Sequence, residues 1–97
     1  MDKVNIRKEL SSVKEHWSQR TIEESNGQLF KVAKGLGATN WHKHDDQDEL
    51  FIFYKGCVTI QLRHKNIELH EDEMLIIPRG VEHCPTADEE VEFLIVA

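Results

Sequence analysis

The 97-residue chain has few of the features that mark secreted, membrane-spanning or nucleic-acid-binding proteins. It has two cysteines, too few for a disulfide framework, and they do not form a Cys-x-x-Cys pair. No apolar run approaches the ~20 residues that span a bilayer, and the N-terminus has charges where a signal peptide needs an apolar stretch. With 12 basic and 18 acidic residues the net charge is −6, so a basic face for nucleic acid is not expected. We therefore expect a cytoplasmic protein that binds neither nucleic acid nor membranes.

The first 26 residues differ in pattern from the rest of the chain. Apolar residues recur there at spacings of four, three and four, namely Ile6, Leu10, Val13 and Trp17. This period predicts an amphipathic helix of three turns. We interpret residues 1–26 as a helical or extended flap that packs on residues 27–97 or on a partner subunit. The length fits one domain, in which residues 27–97 form the main body.

From residue 28 onward the hydrophobic period changes to two, which is typical of half-buried strands. The strands are predicted at residues 29–33, 48–55, 57–63, 67–70, 73–77, 81–86 and 91–96. Gly56 predicts a tight turn, Lys65-Asn66 a hairpin connection, and residues 88–90 a hairpin tip. Short strands at roughly ten-residue spacing, without a long helical pattern between them, predict an all-β antiparallel sandwich or small barrel.

Two segments concentrate residue types that bind transition metals. His42 and His44 are two residues apart, so on an extended strand both imidazoles share one face. Glu49 follows a short acidic loop, and His83 follows a turn that contains Pro78 and Gly80. Three imidazoles and one carboxylate suit Zn, Mn, Fe, Co or Ni. His-x-His followed by Glu and Gly at these offsets is expected by chance only about 0.002 times in such a composition. One divalent transition metal is therefore predicted.

The same two segments resemble the paired motifs of the cupin superfamily, G-x5-HxH-x3-4-E-x6-G and G-x5-PxG-x2-H-x3-N. They are most similar to short single-domain cupins loosely labelled mannose-6-phosphate isomerase-like, and the resemblance covers about residues 28–96. It implies a double-stranded β-helix, or jelly roll, with a metal held inside by His42, His44, Glu49 and His83. Asp72 stands where the second motif begins with glycine, a framework position that does not affect the four ligands.

Three further residues are candidates for lining a ligand pocket. Phe51 and Phe53 share the strand face of Glu49, so they either pack in the core or form the apolar wall of a pocket. Arg79 precedes His83 in a turn, where it is either a surface charge or a contact for an anionic ligand.

The resemblance leaves two functions open. One is an enzyme of isomerase, lyase or dioxygenase type that acts on a small polar molecule by metal Lewis-acid or oxygen chemistry. The alternative is a non-catalytic small-ligand-binding or sensor protein, because no separate catalytic base stands out and the fold does not decide the reaction. A structural metal site is also open, although structural zinc sites are usually rich in cysteine. The resemblance further implies a homodimer, with the apolar N-terminal stripe as a candidate surface.

Overall fold

The computed structural model describes all 97 residues and contains one short helix and seven strands. These are α1 (Ile6–Ser11), β1 (Arg20–Ser25), β2 (Gln28–Ala38), β3 (Glu49–Lys55), β4 (Val58–Leu62), β5 (Asn66–Leu69), β6 (Met74–Ile77) and β7 (His83–Val96). Every strand pair is antiparallel, which confirms the predicted all-β fold. By length and hydropathy, none of the helical structure could cross a membrane.

Strand β7 organises the barrel because it pairs along both of its edges. One edge pairs with β2 between residues 86 and 96. The other edge pairs with β4 over residues 83–86 and with β3 over residues 92–96. Strands β3 and β4 therefore follow one another along the same edge of β7, while β1 and β6 lie at the ends of the main strand order.

The core has two layers, one inside the barrel and one beneath α1. Inside, the rings of Phe53 and Phe93 stack with centroids 5.0 Å apart, and Phe51 lies 5.9 Å from Phe93. The outer layer packs Leu10 and Val13 against residues of β2 and β7. β7 is thus buried on both faces, which explains why its C-terminal half is a nearly continuous apolar run.

The N-terminal stripe does not form the predicted three-turn helix. The helix α1 is capped by the Asn5 side chain, which accepts a hydrogen bond from the backbone N–H of Lys8, and it ends at Ser11. Trp17 has a positive φ of 64° and places its ring against Phe93, with centroids 6.1 Å apart. The prediction is wrong because Trp17 belongs to the barrel interior, and a continuing helix would have kept it in the stripe with Leu10.

Two predicted turns are also wrong. Gly56 is a bend between β3 and β4, and both strands remain on the same edge of β7. A Cβ there would lie 2.9 Å from Val91 Cγ1, and its φ is +84°, so the position requires glycine. Residues 88–90 stay within β7 as a bulge, where three residues face only Leu36 of β2. The predicted hairpin between β4 and β5 is confirmed, with the Leu62 N–H bonded to the Lys65 carbonyl at 2.8 Å.

Candidate metal centre

Backbone hydrogen bonds join the two segments that carry the predicted ligands. The His42 N–H donates to the His83 carbonyl at 3.0 Å, and the His83 N–H donates to the His42 carbonyl at 2.9 Å. The Gly80 N–H donates to the His44 carbonyl at 2.7 Å. The Asp48 carboxylate, from the acidic loop, accepts from the Arg79 backbone N–H at 2.9 Å. These bonds fix the relative position of segments that are far apart in the sequence.

The four predicted side chains converge on one point. Glu49 has one carboxylate oxygen 3.1 Å from His44 Nε2 and the other 3.4 Å from His83 Nε2. The rings of His42 and His83 have centroids 4.3 Å apart, and one donor atom from each of the four residues lies within 4.8 Å of the others. Ligands held about 2.1 Å from one metal are themselves separated by roughly 3.0 to 3.5 Å. The observed donor spacing is close to that of a shared coordination sphere.

Backbone carbonyls orient two of the imidazoles. His42 Nδ1 lies 2.6 Å from the Asn40 carbonyl oxygen, and His83 Nδ1 lies 2.9 Å from the Val81 carbonyl oxygen. A carbonyl only accepts hydrogen bonds, so in the neutral form of each ring Nδ1 carries the proton and Nε2 is left with the lone pair. A hydrogen bond of this kind on the second ring nitrogen is typical of metal-binding histidines.

Burial leaves two polar atoms of the cluster without partners. Glu49 is 5 % exposed and His83 is fully buried. Neither Glu49 Oε1 nor His83 Nε2 makes a hydrogen bond, although unpaired buried polar atoms are costly. A divalent cation would satisfy both atoms, and so the donor set fits a transition metal.

Glu49 and His83 each stabilise the charged form of the other. Burial by itself would raise the pKa of Glu49, but the adjacent His83, His44 and His42 imidazoles outweigh it and lower that pKa. Burial would likewise lower the pKa of His83, but the Glu49 carboxylate and the Val81 carbonyl outweigh it and raise that pKa. Near neutral pH Glu49 is therefore a carboxylate ready to bind a cation, whereas His83 holds a proton more tightly than an ordinary histidine does.

A cavity of about 90 Å³ is lined by two of the four side chains, His42 and Glu49. His42 and Glu49 contribute polar atoms to its wall, and Gln19 and Thr39 add an amide and a hydroxyl. The remaining lining residues are apolar or small: Trp17, Ala33, Phe51, Pro85, Phe93 and Ile95. The cavity thus combines an apolar wall with a few polar groups, as small-ligand sites commonly do.

The three predicted pocket residues occupy different places. Phe51 lines the cavity. Phe53 is 1 % exposed in the core and stacks on Phe93 behind the cavity wall. Arg79 is exposed and lines none of the cavities.

Trp17, Gln19 and Thr39 line the cavity although the sequence did not predict a role for them there. The helical spacing of Trp17 suggested packing with the N-terminal stripe. Gln19 and Thr39 belong to no motif, so only the folded chain reveals their position.

The fold and the site together define a jelly-roll barrel with a His₃Glu cluster at its interior. Comparison with known protein families agrees with this class: the family described as Cupin domain matches residues 28–97. The chain belongs to the cupin family, which confirms the resemblance seen in its motifs. The narrower likeness to mannose-6-phosphate isomerase-like cupins stays a prediction.

Individual proteins show the same relationship. The chain is 35 % identical over 74 residues to the uncharacterized protein YdbB of Bacillus subtilis strain 168, covering 75 % of this chain and 66 % of that protein, just under two thirds. A cupin-2 domain protein from Shewanella frigidimarina NCIMB 400 is 42 % identical, with a TM-score of 0.94 over 97 % of this chain and 92 % of its own. Hydroquinone 1,2-dioxygenase from Sphingomonas sp. TTNP3, solved with 4-hydroxybenzoate bound, has a TM-score of 0.80 over 94 % of this chain and 70 % of its own. At 13 % identity that last likeness shows the fold alone.

Proposed function

We propose that this cupin binds one divalent transition metal, of the group Zn, Mn, Fe, Co and Ni, through His42, His44, Glu49 and His83. The observation that carries the proposal is that Glu49 Oε1 and His83 Nε2 are buried 3.4 Å apart and neither makes a hydrogen bond. A pair of this kind is costly without a cation and satisfied with one. The metal-free site therefore has an electrostatic reason to take up an ion.

We further propose that the protein is an enzyme acting on a small polar molecule by isomerase, lyase or dioxygenase chemistry. A bound metal of this group supplies Lewis-acid activation or, as iron, reactivity toward dioxygen. The chain itself would orient the substrate through the Thr39 hydroxyl and the Gln19 amide. The apolar wall that includes Phe51 would exclude water from the site. The fold shared with a hydroquinone dioxygenase supports this proposal only as an example of chemistry on the same scaffold.

The cavity limits the size and charge of the substrate. The cavity is small, at about 90 Å³. No lysine or arginine lines it, whereas phosphate recognition needs such residues or a cluster of backbone N–H groups. A small, unphosphorylated ligand fits better than a sugar phosphate, and this argues against mannose-6-phosphate isomerase-like activity.

One observation favours the alternative, a small-ligand-binding or sensor protein without catalysis. Apart from His42 and Glu49, both proposed metal ligands, no residue that lines the cavity has a side chain able to act as an acid or base near neutral pH. Proton transfer would then depend on the metal ligands themselves or on the ligand.

An NMR screen of the metal-loaded protein would separate the two functions. Small hydroxy acids, keto acids and phenols would be incubated with wild-type protein and with His83→Ala, and exposed His64→Ala would serve as the matched control. New product signals with wild type and His64→Ala, absent with His83→Ala, are the result that the enzyme proposal predicts. Saturable binding without product across the screen would instead support the binding protein.

We also propose a homodimer and a cytoplasmic location. The N-terminal stripe is not available as the dimer surface, because Leu10 and Val13 are buried on their own barrel. The better candidate is the outer face of β6, where Met74 and Ile76 are 56 % and 55 % exposed. Free Cys57 and Cys84 support a cytoplasmic location, where thiols stay reduced.

A further inference from the structure

A second group of metal-ligating side chains lies on the opposite face of the sheet from the His₃Glu cluster. Cys57 Sγ is 3.5 Å from Glu68 Oε1 and 3.9 Å from His70 Nε2. The other oxygen of Glu68 is 3.9 Å from His70 Nε2. Three different donor types, a thiol, a carboxylate and an imidazole, thus face one another within 4.8 Å.

The β4–β5 hairpin sets this arrangement through its register. Val58 pairs with Leu69, so Cys57 immediately precedes that pair on one strand and His70 immediately follows it on the other. Glu68 and His70 are two residues apart and therefore share a face. Val58 and Leu69 point into the core and are buried, which places the three donors on the outside.

The distances are close to those of a tetrahedral metal site. With a zinc–sulfur distance of about 2.3 Å and a zinc–nitrogen distance of about 2.0 Å, two tetrahedral ligands lie roughly 3.5 Å apart. The distance from Cys57 Sγ to Glu68 already has that value. The two distances to His70 need to shorten by a few tenths of an ångström, which exposed side chains can do by small rotations.

The surroundings of the cluster favour a cation. A cavity of about 220 Å³ is lined by Cys57, Glu68, Asp88 and Glu89 together with Gly56 and two threonines, and no basic residue lines it. A bound metal would hold the Cys57 sulfur as a thiolate, the form in which cysteine ligates metals.

We propose that Cys57, Glu68 and His70 form a second divalent-cation site, suited to zinc or a similar borderline ion. A thiolate selects against Mg²⁺ and Ca²⁺, and the mixed sulfur, nitrogen and oxygen set matches zinc chemistry. Asp88 and Glu89 of the β7 bulge line the same cavity as Cys57 and Glu68 and add negative charge beside the site. This proposal does not depend on the inner cluster, which contains no cysteine.

Cobalt titration of the chelator-stripped full-length protein tests the second site. Bound Co²⁺ gives a near-ultraviolet charge-transfer band only when a thiolate is a ligand, so the inner His₃Glu cluster cannot produce it. We expect the band in wild-type protein and in His42→Ala/His83→Ala, and we expect Cys57→Ser to abolish it. Cys84→Ser, which changes the other free cysteine, is the matched control and should keep the band. His70→Ala should weaken cobalt binding at this site about tenfold or more.

Three results would overturn the proposal. These are no thiolate band in wild-type protein, a band that persists in Cys57→Ser, and a band that Cys84→Ser removes while the protein stays folded by circular dichroism. None of these results bears on the inner site, which His42→Ala/His83→Ala tests separately.

Discussion

The pairing of Glu49 with His83 is the interaction that most distinguishes this interior from an ordinary apolar core. Both residues are buried and their facing atoms lack hydrogen bonds. Each shifts the pKa of the other toward its charged form. Such a pair holds charge inside the barrel even before a metal binds, and this has measurable consequences.

Replacing Glu49 by glutamine should lower the pKa of His83 in the metal-free protein. The Glu49 carboxylate opposes the effect of burial, and glutamine keeps its shape without its charge. NMR titration of the His83 ring protons measures this pKa directly. Asp45→Asn, which removes an exposed carboxylate from the loop before Glu49, should leave the His83 pKa unchanged. A His83 pKa that is the same in wild type and Glu49→Gln would contradict this account.

Metal affinity at the inner site should rise with pH. His83 has a raised pKa, so below that pKa a metal must displace a proton, and above it the metal binds without this cost. Because the ordinary value is 6.5, affinity should still be increasing above pH 6.5. Calorimetry in buffers of different ionisation enthalpy would measure the proton released on binding. Affinity that is flat across this range, with no proton release, would refute the prediction.

The sequence predicted that these four side chains converge, because a shared set of metal ligands needs fixed spacing. His42 and His44 lie between β2 and β3 and not on a regular strand as predicted, with His42 bridged to His83. Their two-residue spacing and Glu49 at the start of β3 still leave a pattern in the sequence. A backbone requirement also leaves a mark in the sequence. Asp72 stands where the motif has glycine, and it adopts a positive φ of 67°. Aspartate tolerates that conformation better than most residues.

At the scale of elements, the N-terminal segment completes the barrel without being part of the matched domain. The Trp17 backbone N–H donates to the Lys34 carbonyl, and its indole N–H donates to the Leu36 carbonyl at 3.0 Å. Its ring lies against Gly35 and Phe93 and closes one side of the cavity. The helical spacing of the apolar residues could not predict the position of Trp17, because helix α1 ends at Ser11.

Gly35→Ala should displace Trp17 and destabilise the fold. A Cβ at Gly35 would lie 2.6 Å from the Trp17 ring, and its φ is not positive, so the effect is steric and not conformational. Overpacking of this kind costs about 1–3 kcal/mol. Urea denaturation would measure the loss, and a red shift of tryptophan fluorescence would report the displaced ring. Leu36→Ala, at an exposed neighbour, is the control and should change stability by less than about 0.5 kcal/mol.

The remaining errors in the predicted elements have two different causes. Residues 88–90 are acidic and polar, which favours a turn, yet they form a bulge opposite Leu36 of β2, between the part of β7 that pairs with β4 and the part that pairs with β3. Residues 20–25 form β1 although only Ile22 is even partly buried. The bulge depends on pairing with strands that are distant in sequence, which local patterns do not record. β1 instead forms a local hairpin with β2 through Asn26-Gly27, both at positive φ, and this dipeptide is a turn signal that the sequence does contain.

For the whole molecule, β6 presents the most exposed apolar surface of the sheet. Met74 and Ile76 pair with Ile52 and Leu50 of β3, so the four side chains form one continuous outer patch. β6 is also an edge strand, whose unpaired side can meet a second copy around a two-fold axis.

Ile76→Lys should therefore convert a homodimer to a monomer. Light scattering at micromolar concentration should give twice the chain mass of 11.3 kDa for wild type and a single chain mass for the variant. Val4→Lys, at an exposed N-terminal position, is the matched control and should stay dimeric. A wild-type monomer, or a dimer that Ile76→Lys does not disrupt, would contradict this assignment of the interface.

Metal content tests the central claim most directly. Inductively coupled plasma mass spectrometry would measure the metal content of two proteins purified without a metal-affinity tag: Cys57→Ser, and Cys57→Ser that also carries His42→Ala and His83→Ala. The Cys57→Ser change in both keeps the outer site from contributing. We predict about one equivalent of Fe, Mn, Zn, Co or Ni per chain, and its loss in the variant that also carries His42→Ala and His83→Ala. Absence of metal from both proteins, even after reconstitution with each ion in turn, would contradict the account and leave a metal-free binding barrel.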